Sequence, residues 1–489
     1  MGYIDWTVLI VALSVSISVG LLLRGREQTL DSFLLGDRSL PWWAILGSIV
    51  ATETSTATVL SVPGHGISPT GLRFLQLPMG LICGRILVVV VLLPLFYTGK
   101  LSSAYQVLRT RFGLETSRAA AGLFLATRSL GDGLRLYLAA LVIQQLLGWN
   151  LGLGCAVITG ATIVYTLIGG MRSIVWNDCI QWCIYMLGGL VSLGVIVSLL
   201  PAGWDTLWEH GMRTDKWRLI EWSWDQDYNF WSGLIGGIVL SMGTHGTDHM
   251  MVQRYLSARS QREAAWALIA SGLVVWLQFA LFILIGIALA SFYEQANPAA
   301  MPSKPDQVFA HFILNVFPAN SGLVGLMMAA IFAASMSTLS SSLSSSASAF
   351  MHDFVLPAIG NRPWWTTRKL YLLTQILTLG FGSLQMMIGI QAQYFSASVI
   401  DNSLKLAGFS GGLLLGLFLL GLMTRKVGQL PALLGTTIGA ATVLLCEFGG
   451  FWPRPLGVPW LALVGATTTL ASGSGLYLIG VALFPHRPR

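Results

Sequence analysis

Charge is scarce in this 489-residue chain: only 10% of its residues are Asp, Glu, Lys or Arg. A soluble domain carries roughly 25%, so a large water-exposed enzyme, an array of soluble domains, a disordered tail and a nucleic-acid-binding module are excluded. Cysteine is nearly missing too. Cys83, Cys155, Cys179, Cys183 and Cys446 each lie in an apolar run, and the four-residue step from Cys179 to Cys183 is not the spacing of a redox or zinc pair. Five buried thiols and no disulfide are expected. The chain also lacks a phosphate-cradling glycine loop and a Gly-x-Ser-x-Gly elbow. No small-residue cleavage site precedes Arg24, so Trp6 to Leu23 reads as a span and not as a signal peptide.

What fills the sequence is apolar surface, 54% of the residues at a mean hydropathy of +0.70. A membrane-spanning helix needs about 20 such residues. Runs of that length occur near 4–23, 41–62, 72–97, 119–147, 151–169, 175–200, 230–247, 264–292, 321–351, 368–390, 395–423, 429–449 and 459–484. Thirteen spans put the two termini on opposite sides. With the N-terminus outside, eighteen basic residues fall on the cytoplasmic side, Arg254 among them, against six outside, which is the positive-inside bias. The +7 net charge therefore reads as loop charge that orients the chain. The polar stretch Pro201–Asn229, with Trp204, Trp208, Trp217, Trp222 and Trp224, is expected outside as an interfacial amphipathic segment. A second outer cap is expected over Pro302–Pro318.

Charged residues inside spans are costly and mark function by default. Glu53, Arg85, Arg128, Asp132, Arg135, Asp178, Asp401 and Lys405 are such residues, with Glu447 near a span end. Asp401 and Lys405 are four apart and are expected to neutralise one another. Three places stand out. Ala51-Thr52-Glu53-Thr54-Ser55-Thr56-Ala57-Thr58 holds five hydroxyl residues in mid-span. Such side chains compete with the helix for backbone hydrogen bonds, and unwound backbone at membrane depth survives only where it lines a cavity. Ser337, Thr338, Ser340 and Ser341 follow the spacing of one helical face. Their neutral oxygens, joined by freed carbonyls of a broken helix, suit a desolvated alkali cation. Asp178 is either a solvated helix-start residue or a functional carboxylate. His245, Asp248 and His249 carry a weak zinc reading.

The order of these segments resembles the sodium/solute symporter family. The residues that carry it are Asp31 to Trp43 ahead of the broken helix, Gly169-Gly170-Met171-Arg172 through Trp176-Asn177-Asp178 to Gln181, Gln253 to Arg259, and the serine helix ending at Asp353. The likeness is greatest to the bacterial sialic acid and proline transporter branches. It implies an all-α membrane protein with a five-plus-five inverted-repeat, LeuT-like core in a single domain. Residues 1–40 are then an extra helix and inner loop, 41–200 and 230–423 the repeats, and 424–489 two extra helices. The resemblance implies a main sodium site on the carbonyls of Ala51, Thr54 and Ala334 with the hydroxyls of Ser337 and Thr338. A second ion would use Asp178, Ser337, Ser340 and Ser341. Solute contacts carry over to Glu53, Ser55, Thr58 and Gln76, with Arg135 or Arg128 as the arginine. The expected activity is sodium-coupled import of a carboxylate, amino acid or sugar across the plasma membrane, with the C-terminus cytoplasmic and neither an organic cofactor nor an obligate protein partner. Proton coupling through Glu53 and a non-transporting solute sensor are the alternatives.

Overall fold

The computed structural model describes all residues except 23–28, 99–100, 225–227, 297, 319, 361, 395–398, 425, 450–457 and 484–489. The described chain is helical without a named strand, one isolated bridge joining Leu40 to Ala258. Its helices begin with α1 (Tyr3–Leu22), α2 (Leu30–Leu35), α3 (Trp42–Glu53), α4 (Thr56–Ile67), α5 (Gln76–Leu87), α6 (Leu93–Tyr97) and α7 (Gln106–Phe112). They continue with α8 (Leu114–Leu147), α9 (Leu151–Ser198), α10 (Trp204–Arg213), α11 (Gly237–Gly246), α12 (His249–Leu256), α13 (Gln261–Ala296) and α14 (Pro305–Asn315). The last are α15 (Leu323–Phe350), α16 (Leu356–Ile359), α17 (Thr367–Gln391), α18 (Val399–Met423), α19 (Gln429–Phe448) and α20 (Val458–Leu483).

Eight helical stretches among the described residues are long and apolar enough to cross a membrane, or nine when α3 and α4 count as one bent span. The thirteen-span expectation is finer than that test. The short α1 and α11 and the charged α8 are not among the eight, and α9 is a single stretch of 48 residues. It is kinked at Gly170, where φ is +57° and ψ −157°. A Cβ there would stand 2.7 Å from the Phe33 carbonyl oxygen, so glycine is needed where the kink of α9 passes α2.

The centre of the molecule is α15. In its most apolar window 89% of residues are buried, against 22% in α19 and 28% in α20, which lie at the rim. Every residue from Met327 to Ala349 is buried. Alanine, serine and threonine make this feasible, because small side chains let neighbouring helices close in where lipid supplies no hydrophobic drive. Around it, α1, α4, α8, α9 and α13 form one apolar cluster with α14. A second cluster, of α2, α3, α7, α12 and α18, sits at the end that holds the 101–105 turn.

Two composition-based expectations change. Only Cys155 of the five free thiols is buried, while Cys183 is exposed on the flank of α9, where lipid tolerates an apolar thiol. Lys405 pairs with Glu447 of α19; the Asp401 side chain lies outside the described residues. Arg24, Arg26, Lys100, Arg425, Arg454, Arg487 and Arg489 of the charge count also lie outside them.

Candidate functional site

The helix that begins at Trp42 stops at Glu53, and a new one starts at Thr56, bent by 67° from the first. Thr54 and Ser55 between them are extended, with ψ of 105° and 172°. The expected unwound stretch of 51–58 is thus narrowed to two residues. Local chemistry fixes the break. Thr54 Oγ1 donates back to the Val50 carbonyl at 2.8 Å, and the Ser55 N–H turns to Thr58 Oγ1 at 3.3 Å in a capping box that starts α4. A helix end leaves its last four carbonyls without intrahelical partners, so oxygen atoms are released in mid-membrane.

The serine face of α15 meets this break. Thr338 Oγ1 lies 3.4 Å from the Thr52 carbonyl and 3.2 Å from the Ala334 carbonyl. Thr52 Oγ1 lies 3.0 Å from Ser341 Oγ. Ala334 and Thr338 are one turn apart on α15, and the carbonyl within reach of Thr338 across the gap is that of Thr52, next in the chain to Ala51 of the expected set. Thr54 is held by Gln278 Nε2 at 2.5 Å. That residue was missed because it is a lone polar side chain inside the apolar run of α13. The cluster offers neutral oxygens in a fully buried place, the donor set a desolvated monovalent cation needs.

Asp178 is fully buried, which settles the choice against a solvated helix start. Its Oδ1 accepts from Ser337 Oγ at 2.7 Å and its Oδ2 from Ser48 Oγ at 2.5 Å. Its charge partner is Arg254, at 3.2 Å. Arg254 was assigned to a cytoplasmic loop, yet it is fully buried. Its guanidinium also donates to Thr52 Oγ1 at 2.5 Å, to Ser48 Oγ at 2.8 Å, to the Met250 carbonyl at 2.7 Å and to Ser341 Oγ. A protein cation therefore lies on the oxygens that the second-ion expectation named. Ser340 instead turns its hydroxyl to the Ser337 carbonyl at 3.0 Å.

Beyond the break lies a cavity of ≈ 220 Å³, enough for a small organic molecule. Glu53, Ser55, Thr58, Arg128 and Arg135 all line it. Gln76 does not; its amide is taken by the carbonyls of Arg73 and Tyr228 and by the Glu221 N–H, so it pins the 201–229 loop instead. One end of the cavity is apolar, with His65 stacked on Phe74 at 4.2 Å and Phe74 against Tyr228 at 4.9 Å. The other end is charged in pairs. Glu53 pairs with Arg85 of α5 and lies 3.6 Å from His245 Nε2. Arg128 pairs with Asp248, while Arg135 bonds Asp132 at 2.8 Å. The sequence showed Arg85 as an intramembrane charge but gave no partner across 32 residues.

The zinc reading dissolves. His245 Nδ1 faces Tyr255 Oη at 3.0 Å, His249 sits between the Ala104 N–H and Ser348 Oγ, and Asp248 caps α12. No cluster of three or more metal-ligating side chains is present among the described residues.

The 201–229 loop reaches the same cavity through Tyr228. Lys216 Nζ donates to the carbonyls of Gly66, Ile67 and Ser68 at 2.5–2.8 Å, closing the C-terminal end of α4. Burial pulls this ammonium down to about 8 from an ordinary 10.5. Trp204, Trp208, Trp222 and Trp224 of this loop are exposed, as an interfacial segment requires.

A family model described as the sodium:solute symporter family matches residues 33–439. Among curated proteins, the chain is 27% identical over 457 residues to the human sodium/iodide cotransporter, covering 92% of this chain and 70% of that protein. It is 28% identical to human sodium-coupled monocarboxylate transporter 1, covering 92% and 74%. Among solved structures, a Na+-coupled sialic acid symporter, substrate-bound and outward-open, superposes with a TM-score of 0.87 at 26% identity, covering 98% of each chain. A nucleobase-cation-symport-1 family transporter superposes at 0.56 and 15% identity, covering 96% and 98%, a likeness of fold alone.

Proposed function

Because the chain belongs to the sodium:solute symporter family, we propose that it moves a small organic anion together with one sodium ion by alternating access. It is a multi-pass membrane transporter with a LeuT-like fold, not an enzyme. The observation that carries the finer reading is the helix break at Thr54–Ser55 set against Thr338. Sodium held by the Thr52 and Ala334 carbonyls with Thr338, and near Ala51, Thr54 and Ser337, would tie α3 and α4 to α15. A state that breaks this joint releases the ion. Coupling follows because the ion favours one state over the other.

Two features support an anionic solute. Iodide, monocarboxylates and sialic acid, named for the relatives, are anions. In this cavity Arg135 uses only Nη1 on Asp132, so the other end nitrogen of its guanidinium is a donor for a carboxylate. Arg128, bonded to Asp248 and 3.6 Å from Asp132, is more fully engaged. One sodium, not two, is supported by Arg254 at Asp178. The thirteen passes, the repeats at 41–200 and 230–423, the outside N-terminus and the plasma-membrane location belong to the same proposal, supported by the basic-residue asymmetry.

The test uses purified protein in sodium or choline chloride, with a panel of carboxylates, amino acids and sugars. Sodium should raise the thermal midpoint, and a carboxylate should raise it further only in sodium. Thr338→Ala should remove both effects. A normal sodium response in that variant would overturn the site.

A further inference from the structure

Beside the large cavity lies a second, very small chamber of ≈ 10 Å³, lined by Ser55, Thr56, Asp132, Arg135, Leu136, Ser335, Thr338 and Leu339. That is room for about one water molecule. Three of the buried polar atoms of its lining residues have no hydrogen-bond partner: Thr56 Oγ1, Asp132 Oδ2 and Arg135 Nε. Thr56 and Asp132 are 1% and 2% exposed. Such orphans are rare in native proteins, because a buried polar group without a hydrogen bond loses its hydration and gains nothing in return. The chamber thus offers one acceptor, one donor and one hydroxyl that can act as either, which is the bonding capacity of a single water. A cation fits less well. Asp132 already faces Arg135 at 2.8 Å and Arg128 at 3.6 Å, and the guanidinium that lines the chamber repels a cation.

The position of the chamber gives it consequence. Thr338 lines it on one side and belongs to the proposed sodium site, while Arg135 lines both the chamber and the solute cavity. With no ion present, the Thr338 hydroxyl donates towards the carbonyls of Thr52 and Ala334. A sodium ion on those carbonyls would take the Thr338 oxygen as a ligand, and the hydroxyl proton would have to turn away. The chamber is the polar direction open to it.

We propose that a single water bound between Thr56, Asp132 and Arg135 relays occupancy of the sodium site to the solute-binding arginine. Sodium turns the Thr338 proton towards the water, the water is then fixed as donor to Asp132 Oδ2 and acceptor from Arg135 Nε, and the guanidinium is held with its remaining face towards the cavity. Thr56 and Asp132 are positioning residues in this relay. It rests on the sodium site proposed above, and linkage requires it to work in both directions.

The arginine reagent phenylglyoxal tests it without knowledge of the solute. Modification of Arg135 is followed by peptide mass spectrometry in sodium and in choline. Sodium should slow it about fivefold, the low end of coupling between linked sites. Thr56→Val keeps the shape and removes the hydroxyl; it should abolish the sodium effect on Arg135 while sodium still raises the thermal midpoint. Thr56→Ser should restore the effect. An undiminished sodium effect in Thr56→Val, or none in the wild type despite thermal stabilisation, overturns the relay alone. Absence of any sodium stabilisation in the wild type overturns the sodium site, and the relay with it.

Discussion

At the scale of single residues, the least expected feature is that intramembrane charges are met by partners distant in sequence. Glu53 is matched by Arg85 and Asp178 by Arg254. Arg85 is fully buried and its other described hydrogen bond goes to Ser271 at 2.7 Å. Removing one member of such a pair strands a charge and costs about 3–5 kcal/mol, while replacing both by apolar groups is far milder. Glu53→Gln should therefore lower the thermal midpoint strongly, and Glu53→Gln combined with Arg85→Met should recover much of it. The pairing also argues against Glu53 as a free proton carrier, so a pH gradient in sodium-free buffer should drive no uptake in proteoliposomes. Lys216 supplies a test outside the membrane. Its folded pKa of about 8 lies below the ordinary 10.5, so the folded state binds the proton less well than the unfolded one. Burying the ammonium then costs stability in full below pH 8, and the cost is lifted between pH 8 and 10.5. The thermal midpoint of the wild type should rise relative to that of Lys216→Met across this window; a falling difference would contradict the assignment.

At the scale of elements, the break between α3 and α4 needs a support that keeps α4 at its angle. Part of that support is close contact with α13. A Cβ on Gly286 would stand 1.9 Å from the Pro63 carbonyl oxygen, and one on Gly66 2.2 Å from the Ile283 carbonyl. These are backbone-to-backbone contacts that no side chain can yield to. Gly286→Ala should push α4 away from α13, costing about 1–3 kcal/mol as overpacking does. It should also weaken the sodium-induced rise in thermal midpoint, since the angle of α4 sets the break at Thr54–Ser55 that leaves the Thr52 carbonyl facing Thr338. An unchanged sodium response in a correctly inserted variant would show that the break is held without that contact.

At the scale of the whole molecule, the alternating access proposed above would open one end of the cavity while closing the other. The end near α12 is closed here: all eight residues of that helix are buried, and Gln253 reaches the Leu34 carbonyl at 2.7 Å while Arg254 ties α12 to α3, α9 and α15. Opening that side, as the proposal requires, would withdraw Arg254 from Asp178. With the guanidinium in place the proposal allows one sodium ion, so sodium titrations of the thermal midpoint should be hyperbolic with a Hill coefficient near 1. A coefficient near 2 would mean that a second ion displaces Arg254.

Much of this was legible in the residues because membrane burial imposes strong, local rules. The scarcity of charge, the long apolar runs and the hydroxyl-rich interruptions at Thr52–Thr58 and Ser337–Ser346 announced a helical membrane protein, a broken helix and its serine partner, since each follows from the cost of unpaired polar groups in lipid. Arg254 at Asp178, Arg85 at Glu53, Gln278 at Thr54 and the diversion of Gln76 to the 201–229 loop were settled only by the fold. A charge or amide chooses its partner by proximity in space, and helices distant in the chain are brought together by the packing of small residues over their full length. Spacing along a sequence carries no measure of that distance.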